Sequence, residues 1–291
     1  MKNFVQHTLF PIMAAMIWGT AFSAQSVASR YVQPFAVNAF RGLVAFVVLT
    51  LACLLLKIRP GRRKDVLLGS LICGTALFLA SNLQQYGISE TSAGKSGFLT
   101  ALYIVLVPVF GTFLHKKTSS RVWLAIAVAV AGMYFLCIKP GVSFGSGDLA
   151  LVLCAFLFTV QILAIDHFTL KVHPVALSAG ELFVCGFFSL IVSACIETTS
   201  LGDFAPCLFQ MLYVALFSSC IAYTLQIFAQ KGGNPSVVSL LLSLESVFAL
   251  LGGMLLLGEK LTGREYLGCA LMALAIVLSQ LPEKPAQKEA C

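Results

Sequence analysis

The residues able to bind a solute or carry a charge lie inside long apolar runs. Glu245 sits within Leu240-Leu241-Leu242-Ser243-Leu244-Glu245-Ser246-Val247-Phe248. An ionisable group at membrane depth marks a functional position by default. Glu245 is the strongest candidate for a titrating carboxylate that a proton-coupled step could use. The alternative is a carboxylate held by hydrogen bonds to neighbouring helices. Arg41 and Glu181 are also embedded, each seven residues beyond a proline, Pro34 and Pro174. At the helical rise that is about 10 Å inward from opposite faces, so across a ~30 Å core they sit roughly 10 Å apart in depth. They are expected to serve separate local networks. Lys95, near the end of another run, could hold a substrate carboxylate or phosphate, or snorkel to the headgroups, and snorkelling is the reading we favour.

Neutral polar residues add to the set. Trp18, Phe22 and Gln25 share one helix face, as do Asn82 with Gln85, Thr100 with Tyr103, and Tyr223 with Gln226 and Gln230. Gln161 stands alone in an apolar segment. Such side chains are costly against lipid and point into a bundle or a watery cavity. The expected substrate-binding set is Trp18, Phe22, Gln25, Asn82, Gln85, Lys95, Thr100, Tyr103, Gln161, Tyr223, Gln226 and Glu245. Aromatics supply stacking surface, and amides supply both donors and acceptors. Interhelical hydrogen bonds of about 0.6 kcal/mol each are the competing reading for any one of them. Ser239, Ser243 and Ser246, with Gly252-Gly253 beyond, form a small-residue stripe that lets another helix approach closely.

Catalysis is not indicated. There is no Walker loop, GxGxxG, metal-ligand spacing or Ser-His-Asp arrangement, and no cofactor or metal is expected. His7, His115, His167 and His173 sit at the edges of apolar runs and read as loop or interfacial residues. The ten cysteines include no Cys-x-x-Cys pair, and most read as small apolar packing residues.

The elements that must position these residues follow from composition. Of 291 residues, 59% are hydrophobic and only 11% charged, against roughly 25% charged in a soluble domain. One water-soluble core cannot hide that surface. The net charge of +7 lies in short gaps between apolar runs, which excludes a nucleic-acid face. Ten runs are expected to span the membrane: Leu9–Ala28, Phe35–Leu56, Val66–Leu83, Ser96–Leu114, Trp123–Ile138, Leu149–Phe168, Pro174–Cys195, Cys207–Phe228, Ser236–Leu257 and Tyr266–Leu281. Lys2, the run from Leu9 and the small residues around Ala21-Phe22-Ser23 have some features of a secretory signal, but the segment is expected to be a retained first helix. With a cytoplasmic N-terminus, thirteen Lys and Arg face the cytoplasm and five the other side, so both termini are expected in the cytoplasm.

The halves resemble each other. Tyr31-Val-Gln-Pro34-Phe-Ala-Val reads like Lys171-Val-His-Pro174-Val-Ala-Leu at an offset of 140 residues, and Ser119-Ser-Arg121-Val-Trp123-Leu124 like Thr262-Gly-Arg264-Glu-Tyr266-Leu267 at 143. Five helices per repeat is odd, so the second half would enter the membrane from the opposite face. The expectation is an all-α integral membrane fold: ten transmembrane helices as two inverted five-helix repeats, residues 1–141 and 142–282, around a central cavity, with a disordered cytoplasmic tail at 283–291.

Ile17-Trp18-Gly19-Thr20-Ala21-Phe22, Arg41, the segment from Thr91 through Tyr103 to Pro108, Leu244-Glu245-Ser246-Val247-Phe248 and Leu257-Gly258-Glu259-Lys260-Leu261-Thr262 together carry a resemblance. The chain resembles the drug/metabolite transporter superfamily, specifically ten-helix proteins with two EamA-type domains. Such proteins often have Glu-Pro where this chain has Glu245-Ser246, which removes the sequence basis for a proline kink there. The resemblance implies a cavity lined by both halves and export or exchange of small metabolites. The expected protein is a secondary transporter in the cell (inner) membrane, not an enzyme, moving small organic metabolites such as amino acids. A broad exporter of hydrophobic cations is the alternative. Its expected partners are a small-molecule substrate and the lipid bilayer, with protons as the candidate coupling ion and a monomer or homodimer as the assembly.

Overall fold

The computed structural model describes residues 2–91, 93–114, 118–138, 144–257 and 262–281. His115, residues 258–261 of the family segment and the tail at 283–291 lie outside the described residues. Among the described residues the fold is helical, apart from one isolated bridge between Gly61 and Val172.

Each apolar run falls on a helical segment. Residues 2–28 form α1, with a π-helical turn at Val5–Leu9 before Phe10–Ala28. Next come α2 (Pro34–Leu55) and α3 (Arg63–Glu90). The fourth segment, α4, is broken into Ala93–Thr100 and Tyr103–Phe113. After it follow α5 (Ser120–Cys137), α6 (Ser146–Phe168) and α7 (Pro174–Ile196). A 3-10 turn at Leu201–Cys207 leads into α8, which runs from Leu208 to Gln230 and is π-helical over Val214–Ala222. The ninth segment, α9, is also broken, into Pro235–Leu242 and Glu245–Leu257, and α10 is Gly263–Gln280. Seven of the segments are long and apolar enough to cross a bilayer, and shorter apolar helices accompany them. The protein is a multi-pass membrane protein.

Local chemistry sets the helix starts. Pro34, Pro174 and Pro235 occupy first-turn positions, where a missing N–H costs nothing. Ser119 caps α5 by accepting from the Val122 amide. Thr262 and Glu265 cap α10 reciprocally: the Thr262 amide donates to Glu265 Oε2 at 2.7 Å and the Glu265 amide to Thr262 Oγ1 at 3.3 Å.

Two sequence expectations need correction. The third run was expected to stop at Leu83, yet α3 continues to Glu90. Ser81, Asn82, Gln84 and Gln85 lower the local hydropathy, but they are buried against protein rather than lipid. The ninth run was read as one helix with no proline to kink it, yet α9 breaks at Ser243-Leu244.

Packing follows small residues. The α2–α7 and α5–α10 pairs are in extensive contact, α3 lies against α6 and α7, and α1 against α8 and α9. A Cβ placed on Gly42 would stand 2.9 Å from the Gly186 Cα, and one on Gly268 2.8 Å from the Gly132 carbonyl oxygen. These pairs bring backbones into contact, as membrane helices need when lipid supplies no hydrophobic drive. Glu197 at the end of α7 accepts from the Phe35 and Ala36 amides of α2, both at 2.8 Å. At the opposite end the His173 amide donates to the Pro60 carbonyl at 2.8 Å. The exterior is apolar, with Leu51, Leu55, Leu71 and Ile191 all exposed.

Candidate functional site

A cavity with about 40 Å³ of open space lies between helices of both halves. From the first half come Trp18, Phe22 and Gln25 of α1, Arg41 of α2, Gln84 of α3, and Thr100 and Tyr103 of α4. The second half supplies Phe158 and Ile162 of α6, Ser218, Tyr223 and Gln226 of α8, and Leu242 and Glu245 of α9. Thr100 and Tyr103 flank the break in α4, and Leu242 and Glu245 flank the break in α9.

Specific bonds hold the wall. The Trp18 indole donates to the Ser218 carbonyl at 3.0 Å, within the π-helical stretch of α8. Its ring meets Tyr223 edge-on with centroids 5.0 Å apart. Arg41 Nη1 donates to Gln25 Oε1 at 2.8 Å and Nη2 to the Tyr223 hydroxyl at 3.4 Å. Tyr103 donates its hydroxyl to Glu245 Oε1 at 3.5 Å, joining the two broken helices directly. Thr100 Oγ1 and Gln226 Oε1 are buried with no hydrogen-bond partner among the described residues. Buried polar atoms normally have partners, so such atoms in a cavity wall are places for a ligand or water.

Eight of the expected residues converge here: Trp18, Phe22, Gln25, Thr100, Tyr103, Tyr223, Gln226 and Glu245. Four do not. Gln161 lies one layer behind, donating to Glu181 Oε2 at 3.3 Å and accepting from Gln226 at 3.4 Å. Gln85 donates to Ser29 Oγ at 2.7 Å. Asn82 lines a separate apolar cleft; it accepts from Asn38 at 3.0 Å and donates to Ser189 at 3.0 Å. Lys95 neither snorkels nor reaches the cavity. It is 7% exposed and pairs with Asp148 Oδ2 at 2.5 Å, an oxygen that also caps α6 by accepting from the Gly145 amide.

Sequence reasoning missed Gln84 and left Arg41 outside the site. Pairing Asn82 with Gln85 selected the neighbouring faces of α3. For Arg41 the signal was present, because a cation in an apolar run must face polar surroundings. Arg41 and Glu181 do serve different networks. The serines of the stripe are buried, with Ser239 and Ser243 bonded to carbonyls of their own helix. Among the described residues no group of His, Cys, Asp and Glu is placed to hold a metal ion.

The EamA-like transporter family matches the chain twice, over residues 8–138 and again over 145–281. The chain belongs to the EamA-like transporter family. This EamA-like transporter is 30% identical to a transporter of Archaeoglobus fulgidus, over 92% of this chain and 84% of that protein. It is 28% identical to the transporter YwfM of Bacillus subtilis, over 98% and 97% of the two chains. An inner membrane transporter of Escherichia coli, YedA, is 27% identical over 95% and 94%. A crystal structure superposes with a TM-score of 0.80 at 18% identity, covering 94% of this chain and 96% of the other, which establishes the shared fold.

Proposed function

We propose that this transporter is a secondary exporter or exchanger of small organic metabolites such as amino acids, working by alternating access at the cavity. One observation carries the reading: two broken helices meet at the cavity through Tyr103 and Glu245. At both breaks the backbone stays right-handed and tightens to i→i−3 hydrogen bonds, and such local 3-10 turns beside buried polar side chains suit the mid-depth substrate sites of transporters. Tyr103 and Glu245 are 142 residues apart, between the two offsets of the sequence repeat. Each opens the second piece of its helix. We take them as repeat equivalents related by a pseudo-two-fold axis that passes between them.

The packing supports the same symmetry. Under that offset α2 pairs with its own equivalent α7, and α5 with α10, while the contacts of α1 with α8 and α9 correspond to those of α6 with α3 and α4. We take residues 1–141 and 142–282 as repeats of opposite orientation, in an inner membrane, with both termini cytoplasmic. Rocking one half against the other would open the cavity to each side in turn. Hydrophobic cations fit less well, because Arg41 puts a permanent positive charge in the wall.

The test is flux by purified protein in liposomes across a broad metabolite panel. Accumulation of a defined solute is expected, and folded protein that moves none would overturn the proposal. Proton coupling has its own test. Glu245→Gln should abolish pH-driven uphill transport while substrate binding persists, and unchanged pH dependence would refute that role.

A further inference from the structure

We propose that Arg41 is the specificity-determining anchor for a single carboxylate on the transported solute. The inference rests on the transport reading above and names what the cavity selects. Arg41 is 3% exposed and lines the cavity, its guanidinium bonded to Gln25 and Tyr223, which line it too. Both acceptors that hold it, Gln25 Oε1 and the Tyr223 hydroxyl, are neutral. They take up two of its five N–H donors and fix the plane of the fork.

Among the described residues no carboxylate completes the pair. Among the described residues the one ion pair within bonding distance is Lys95–Asp148, in another part of the bundle. Glu245 shares the cavity, but its described bond is to Tyr103. Glu181 bonds to Gln161, behind the wall. A buried cation lacking a paired anion is costly, and membrane proteins keep such groups where they serve a substrate or ion.

The chemistry of the missing partner follows from the fork. A planar guanidinium held by two neutral acceptors matches a carboxylate, which can accept two parallel N–H bonds. A phosphate monoester carries close to two negative charges, and the described wall offers one cation for them. The aromatic faces of Trp18 and Tyr223 beside Arg41 suit the apolar remainder of a carboxylate-bearing metabolite.

The test compares acids with their neutral isosteres. Binding to the detergent-solubilised full chain, and flux in liposomes, are measured for the twenty common amino acids, simple monocarboxylates, the carboxamides of every acid that binds, and glycerol 3-phosphate. Wild type should prefer an acid over its amide by at least about thirty-fold, the scale set by losing one partner of a buried, hydrogen-bonded charge pair. In Arg41→Gln that preference should shrink to within about threefold, and Arg41→Lys, which keeps the charge but loses the fork, should fall between. A merely structural role would lower the amount of folded protein and leave the acid-to-amide ratio unchanged. If the variants do not fold, the wild-type ratio alone decides. Equal binding of acid and amide, preference for glycerol 3-phosphate, or a ratio that survives in folded Arg41→Gln would overturn the inference. Flux of some uncharged or cationic solute, with no carboxylate moved, would overturn it while leaving the transport reading intact. No flux of any solute would end both.

Discussion

At the residue scale, the charged groups divide into those the protein satisfies and those it leaves facing a cavity. Lys95 and Asp148 are paired with each other through Asp148 Oδ2, with side chains 9% and 3% exposed. Removing one partner strands a buried charge, at about 3–5 kcal/mol, whereas replacing both can be nearly neutral. Lys95→Met should therefore destabilise the protein strongly, and the Lys95→Met/Asp148→Asn double variant should recover most of the loss. Thermal midpoints in detergent would show this, and additive effects of the two changes would refute the coupling. Asn82 is satisfied too, by Asn38, Ser189 and the Phe78 carbonyl. Asn82→Ala should cost about 1–3 kcal/mol of stability and leave flux by the folded fraction unchanged, because the side chain does not line the cavity. These two residues also mark where the sequence was mute. Residue type and helical spacing identify polar groups at membrane depth, but not which of them meet each other. Lys95 looked like a snorkelling cation because Asp148, its partner, is 53 residues away in another helix. Trp18, Gln25, Tyr103 and Glu245 stood out as polar or amphipathic groups in apolar runs, but the same signal also picked Asn82, Gln85 and Gln161, which do not line the cavity.

At the element scale, the helices are set by signals of very different strength. Prolines at first-turn positions and the Thr262–Glu265 cap are local, so those starts could be read directly. The breaks in α4 and α9 could not. Ala101-Leu102 and Ser243-Leu244 contain neither glycine nor proline, so neither break announces itself at its own residues. The same holds for the α2–α7 crossing, where nothing in either helix alone reveals that Gly42 meets Gly186. A side chain there must push two backbones apart. Gly42→Leu should cost about 1–3 kcal/mol or more by overpacking, read as a lowered midpoint, and full stability would show that the crossing has slack. The start of α7 makes a pH prediction. Neutral His173 accepts from the Val175 amide through Nδ1 at 3.4 Å. Burial, and then the nearby charge of Lys231, hold its imidazole below the ordinary value of 6.5. The unfolded chain therefore takes up this proton more readily than the folded one. This contribution to stability is complete above pH about 6.5 and weakens as pH falls below it. Replacing His173 with Asn, which can also cap, should flatten that part of the stability profile, and an unchanged profile would assign the slope elsewhere.

At the scale of the whole molecule, contacts sort the loops by face, and loop charge carries the proposed orientation. The bridge from Gly61 to Val172 and the His173–Pro60 bond put the α2–α3 and α6–α7 loops together. Lys57, Arg59, Arg62, Arg63, Lys64 and Lys171 crowd that end, the end that the proposed orientation assigns to the cytoplasm by the loop-charge rule. Glu197 on the start of α2 marks the opposite end. An inverted repeat makes a sharper demand than any hydropathy profile. Tyr31 and Lys171 are equivalent in sequence, both exposed, and each lies just before the proline that opens a helix. Two repeats of the same orientation would put them on the same side of the membrane, and two of opposite orientation on different sides. In a cysteine-free background, Tyr31→Cys should react with a membrane-impermeant thiol reagent added outside intact cells, and Lys171→Cys only in inside-out vesicles. Labelling of both from one side would remove the inversion, and with it the proposed two-fold axis between Tyr103 and Glu245 and the alternating access built on it. Opposite labelling with the sides exchanged would keep the axis and reverse the orientation, so the charge argument would fail while the cavity argument stood.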